Sequence, residues 1–220
     1  MALYIKGLKM KNGLFVASVL MLLLTASGCG KSIPAVISAP PPTQTANATA
    51  AQSAYTRWVD GTDIGTIYGT GILEYAWVSE IPIPGSIPLP LVIEKAYIKF
   101  NLPLIPSGSS IESADLNIWV STFDASCMTS IIPVTSAWDR TTISATNEPS
   151  LSSSDIDSEA TAVGWNSFDI TSLVRKWING TAPNYGVRVF PSGTITDGSN
   201  RTDLQDYNGT NYPKILINYN

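Results

Sequence analysis

The sequence predicts an all-β, jelly-roll-like β-sandwich carrying a single short helix. Three observations carry that prediction. From Tyr55 onward the chain breaks into short runs in which apolar and polar residues alternate with period two. Gly, Pro, Asn, Ser and Thr fill the gaps between the runs, while charged residues make up only 14% of the chain, a texture unlike that of a helical bundle. One segment alone changes to helical spacing.

The elements follow in chain order. Strands are expected at 55–60 and 71–79. Between Ile81 and Pro90 the prolines rule out a central strand, because proline cannot donate to a ladder, so an extended apolar loop is predicted there. Lys95 to Phe100 alternates cleanly, with Ala96, Ile98 and Phe100 inward and Lys95, Tyr97 and Lys99 outward. Ile111 to Val120 repeats the pattern, turning Ala114, Leu116, Ile118 and Val120 to the core and Asp115, Asn117 and Trp119 away from it. Further strands are predicted at 126–134, 165–169, 185–190 and 213–219. Between 165–169 and 185–190, Leu173, Val174, Trp177 and Ile178 form one helical stripe preceded by capping residues and closed by Gly180, which predicts a helix over about 170–179 covering an end of the sandwich. Trp138, Trp165 and Trp177 are assigned to the core.

Ahead of this domain lie two segments of different character. Lys9 and Lys11 precede the apolar stretch Leu14 to Leu24, long enough for the core of a signal peptide and too short to span a bilayer. It ends at Ser27, Gly28 and Cys29, resembling the lipobox of bacterial lipoproteins, so residues 1–28 are expected to be removed and Cys29 to receive lipid. Met10 offers an alternative start to Met1. Attachment through several acyl chains is effectively permanent, which places the chain at the cell envelope or surface. Gly30 is not the Asp of an inner-membrane retention signal, so the outer membrane is the expected destination where the cell has one. Residues 29–54 are rich in Ala, Pro and Thr and poor in large apolar groups, so they are expected to form an extended tether, with the folded domain over 55–220. With Cys29 acylated, Cys127 is the sole remaining thiol, and a small buried side chain is its expected role.

Charge and composition exclude several functions. All 17 acidic residues lie from Asp60 onward, whereas Lys6, Lys9, Lys11 and Lys31 precede the domain. The acidic surplus leaves no basic stripe to displace counterions from a phosphate backbone, so no nucleic-acid partner is expected. The chain has no histidine, which removes the commonest general base and the Ser-His and Cys-His nucleophile pairs. Asp139, Glu148, Asp155 and Asp157 are the carboxylates an enzyme would draft, but their Ser-rich neighbourhoods suggest exposure rather than the raised pKa a catalytic acid needs. The protein is read as a binder, not an enzyme.

The order of Lys95 to Phe100, Ile105 to Gly108, Ile111 to Leu116, Trp138, Trp165 to Thr171, Trp177, Asn184 to Gly186 and Pro213 to Tyr219 resembles the DNRLRE domain. That family is similar to the disaggregatase-related and alginate-binding carbohydrate-binding modules. The likeness covers about Tyr55 to Tyr219, although the naming hexapeptide is absent and Lys95 stands where the family often has Arg. What the resemblance implies is a jelly-roll sandwich whose role is carbohydrate binding.

Aromatic rings match the C–H face of a pyranose, and flanking polar groups orient its hydroxyls. Tyr97 and Trp119, with Lys95, Lys99 and Asn117 on the same sides, form a candidate sugar-binding set, and if the two strands are neighbours the lysines favour an acidic sugar. The alternative is that loops cover these rings as part of a core rim. Asp60 and Asp63 are candidate calcium ligands, against the alternative that they serve as turn residues. The apolar loop Ile81 to Pro90 offers a surface for a protein partner, the second functional reading.

Overall fold

The computed structural model describes residues 42–60, 62–67, 72–78, 92–123, 128–153, 156–192 and 199–220. The expected signal segment, Cys29, Cys127, Asp155 and the loop Ile81 to Pro90 lie outside these residues. Among the described residues, eleven strands and one helix run in the order β1 (Gln44–Val59), β2 (Thr62–Ile67), β3 (Ile72–Val78), β4 (Val92–Asn101), β5 (Ile111–Phe123), β6 (Met128–Pro133), β7 (Asp157–Ala160), β8 (Gly164–Asp169), α1 (Thr171–Ile178), β9 (Val187–Ser192), β10 (Ser199–Gln205) and β11 (Lys214–Tyr219). All pairings are antiparallel. The architecture is the expected all-β sandwich with one short helix.

β1 explains how the two layers join. Its first residues pair with β11, as in Ala48 with Ile215, and from Thr49 onward it pairs with β4, as in Tyr55 with Ala96. A bulge between Ala50 and Gln52 marks the change, which is how a strand bends from one layer into another. One layer therefore continues through β11, β5 and β8, and the other through β4, β9, β6 and β7, with β2 beside β1. β10 and β3 close the remaining side by linking β5 to β4.

The core lies between the inner faces. Ala96, Ile98 and Phe100 from β4 meet Ala114, Leu116, Ile118 and Val120 from β5, as the alternation predicts, together with Val187, Val189, Ile215 and Ile217. Each Val, Leu, Ile or Phe among them stabilises the fold by about 1.5–3 kcal/mol when fully removed from water, and each alanine by less. Helix α1 contributes Leu173, Val174 and Trp177 to the same core. Its position at the start of β5 is fixed by Arg175, which donates to the Ile111 carbonyl at 2.7 and 2.9 Å, and by the Ile170 N–H donating to the Ala114 carbonyl at 2.9 Å. Gly180 follows the helix with φ of 74°, as predicted, whereas the N-cap position is Ile170 and makes no side-chain cap; the Asp169 carboxylate just before it accepts from the Thr171 N–H at 2.9 Å.

Two sequence expectations need correction. The segment 44–54 was expected to belong to a tether, but it is part of β1. Ala46, Ala48 and Ala50 pack against the core in alternation with Thr45, Asn47 and Thr49, and alanine is too small to announce a buried strand by composition. Strands β2, β7 and β10 were also not expected. They are short and rich in Thr, Ser and Asp, and their ladders supply what their side chains do not.

Candidate functional site

The two outer faces of the sandwich have different fates. On the β4 layer, Tyr97 points away from the main core as predicted, yet it is 0% exposed. The connection from Val134 to Leu151 folds over it, and Tyr97 packs in a second apolar cluster with Ala54, Val134 and Ile143, bordered by Trp138, Leu151 and Tyr185. The Tyr97 and Trp138 rings lie 5.8 Å apart, and the Trp138 indole N–H donates to the Tyr185 carbonyl at 2.7 Å. Burial pushes the Tyr97 phenol above its ordinary range, reinforced by the nearby Glu148 carboxylate. Gly186, beside Tyr185, has φ of 83°, and a Cβ there would collide with the Ile98 carbonyl oxygen, so only glycine lets this segment lie against β4.

Polar groups staple the same connection down. Lys95 Nζ lies 2.6 Å from the Glu148 carboxylate, which also accepts from the Thr56 hydroxyl at 2.9 Å. Gln52 donates to the Trp138 carbonyl at 3.5 Å. Asp63 accepts from the Thr146 N–H at 3.0 Å, the Thr146 hydroxyl at 2.8 Å and the Gly65 N–H at 2.8 Å. Partial burial alone would raise the Asp63 carboxyl, but the donors from Ser144, Thr146 and Gly65 outweigh it and hold the group well below the usual carboxylate range. Asp60 is exposed at the β1–β2 turn with φ of 47°. Among the described residues no three Asp, Glu, Cys or His side chains gather as a metal site would require.

The outward positions of the other layer are more open: Asp115, Asn117, Trp119, Lys214 and Leu216 are half-buried, and Trp165, Ser167 and Asp169 are exposed. β5 pairs with β8 on one side and β11 on the other, so their outward residues form rows across the strands: Trp165 beside Trp119, then Ser167, Asn117 and Lys214, then Asp169, Asp115 and Leu216. Trp165, expected in the core, is 44% exposed. The reason is position, for among the described residues β8 pairs with β5 alone, so an outward ring on it has a neighbouring strand on one side only. Trp119 is half-buried and meets Trp165 edge to face, with centroids 5.5 Å apart and planes at 80°. Lys214 reaches across to place Nζ 4.7 Å from the Trp165 ring centroid. Asn117 is half-buried, its amide donating to the Asp115 carbonyl at 2.9 Å.

The five residues expected to form one set are therefore divided. Trp119 and Asn117 share the more open face, whereas Tyr97, Lys95 and Lys99 belong to the opposite layer. Tyr97 is enclosed there and Lys95 is neutralised by Glu148. Sequence reasoning missed Trp165 as a surface ring and missed Lys214 altogether; the outward parity of both was readable once their strands were paired with β5.

The described carboxylates that an enzyme would draft are engaged in local hydrogen bonds. Thr141 holds the exposed Asp139 carboxyl below its ordinary value, first through its hydroxyl and then through its N–H. Asp157 accepts from the N–H groups of Ser158 and Asp169, both at 2.8 Å. Glu148 serves the staple. Paired rings, a cation and short polar side chains on one outer sheet face are suited to packing against a flat, hydroxyl-rich molecule.

Residues 45–216 match the model of carbohydrate-binding module family 96. No match is found among curated proteins.

Proposed function

From the premise that the chain belongs to carbohydrate-binding module family 96, we propose that it binds polysaccharide through the outer face of β8, β5 and β11, with Trp165 and Trp119 as the stacking rings and Asn117, Ser167 and Lys214 orienting the sugar hydroxyls. The observation that carries this reading is the exposed Trp165, held edge to face by Trp119. Large aromatic surface left in water at a fixed angle is costly to maintain unless a ligand covers it. Membership in a family of binding modules agrees with a chain that binds rather than catalyses. The finer likeness to DNRLRE domains, which rests on residue order, belongs to the same proposal.

The remainder of the proposal concerns location. Cys29, at the end of a signal-like apolar stretch, is the lipid attachment point, and the domain is held at the cell surface, at the outer membrane where there is one. Replacing Cys29 with Ser tests this: the wild-type chain partitions into the detergent phase of a temperature-split extraction and the variant into the aqueous phase. Equal aqueous partitioning of both would remove the anchor.

A glycan array probed with the full-length protein tests the binding reading. Wild-type signal on neutral or acidic polysaccharides that disappears in a Trp119→Ala, Trp165→Ala double variant is expected; silence on every polysaccharide overturns the reading. The array is run with calcium and with chelator, since Asp60 and Asp63 are the carboxylates proposed for calcium. A chelator-sensitive signal lost on Asp63→Asn supports that role, and an insensitive one removes it.

A further inference from the structure

The connection from β4 to β5 holds one large apolar side chain wholly in water. Leu102 and Ile105 pack against the core, while Leu104 between them is 100% exposed. Pro103 and Pro106 fix the backbone on either side of Leu104 and Ile105. The Ser109 N–H donates to the Pro106 carbonyl at 3.1 Å, closing a turn in which Gly108 has φ of 89°. A single exposed leucine carries no message by itself. This one is held out by a braced loop, and its position in the fold matters.

The loop lies at the end of the sandwich where the chain enters it. Gln44, the first residue of β1, pairs with Tyr219, and Tyr219 pairs with Ile111, the residue that follows the loop. Thr43 donates to the Glu112 carboxylate at 2.9 Å, and Ser110 and Asn220 exchange backbone hydrogen bonds at 3.0 and 3.1 Å. Because β1 starts at Gln44, only residues 30–43 separate the domain from Cys29, a reach of no more than about 50 Å when fully extended. β1 itself is 16 residues long, which carries its far end up to about 50 Å further away. We infer that the loop 102–110 seats this end of the domain on the lipid surface, with Leu104 entering the boundary between headgroups and acyl chains, where apolar side chains are favoured. This rests on the reading of Cys29 as the lipid attachment point.

The test uses the full chain purified from membranes and reconstituted into vesicles of phosphatidylethanolamine and phosphatidylglycerol. In a Cys127→Ser background, a bimane dye is placed either at Ser107→Cys, exposed on the loop, or at Thr62→Cys, exposed at the far end of β1 where it pairs with Val59. Melting curves confirm that each variant is folded. Lipids carrying a nitroxide near the headgroup should quench the dye at position 107 several-fold more than the dye at position 62. Adding Leu104→Asp should bring the two to the same level, with the protein still floating with the vesicles. Equal quenching at both positions in protein that floats, or no effect of Leu104→Asp, overturns the seat and keeps the anchor. A dye at position 107 shielded from aqueous iodide but untouched by the lipid quencher shows that protein covers the loop, which also overturns the lipid seat. Protein that does not float with the vesicles removes the anchor and the seat together.

Discussion

Tyr97 on β4 and Trp119 on β5 hold the same place in the logic of their strands: each is an aromatic ring at an outward position between inward aliphatic neighbours. One is sealed under the connection from Val134 to Leu151, and the other stands half open beside Trp165. The difference teaches that outward on a strand means away from one core, not toward water. What decides exposure is whether a long connection folds back over the sheet, and here the stapling groups Lys95, Glu148, Thr56, Asp63 and Thr146 sit on one layer only.

The comparison can be broken most severely at Tyr97. Tyr97→Ala leaves a cavity beneath the connection and should cost about 3–5 kcal/mol of stability by denaturant unfolding, while glycan binding by whatever fraction stays folded is unchanged. Trp165→Ala should do the reverse, losing no more than about 1 kcal/mol of stability while weakening glycan binding at least about tenfold. If both variants lose binding in proportion to stability, the two faces are not functionally distinct. Lys95→Met probes the staple more gently. Its partly exposed ion pair with Glu148 should be worth about 1 kcal/mol in the same unfolding assay, with glycan affinity intact.

The smallest effect sharpens the contrast through pH. The folded state holds the Asp63 carboxyl below its ordinary value. The stabilisation is therefore complete above the unfolded value of about 3.9 and is progressively lost as pH falls below it. Melting temperature followed from neutral to acid should fall in the wild type, and Asp63→Asn should start lower and lose less over that window. A wild type and variant with parallel acid limbs would show that Asp63 does not hold the connection.

Much of the fold was legible because alternation reports the pleat directly. β4, β5 and α1 lie where the spacing put them, and their inward residues are those expected. The early half of β1 was hidden because Ala46, Ala48 and Ala50 bury little area each, so a strand made of them looks like a linker. The candidate site was half legible for a different reason. Parity along one strand gave Trp119 and Asn117 their direction, but it says nothing of which strand lies beside it, so Trp165 and Lys214 could not be placed next to them. Nor does it say what passes overhead, which is why Tyr97 and Lys95 were grouped with Trp119.

The change of partners along β1 has a mechanical consequence. With the anchor and the glycan face as proposed, tension from the chain before Gln44 and from a polymer on β5 and β11 would meet in the ladder of Gln44 to Thr49 against Tyr219 to Lys214. Antiparallel hydrogen bonds lie across the strands, so such a load would shear the whole ladder at once instead of unzipping it bond by bond, a geometry fit for a joint under tension.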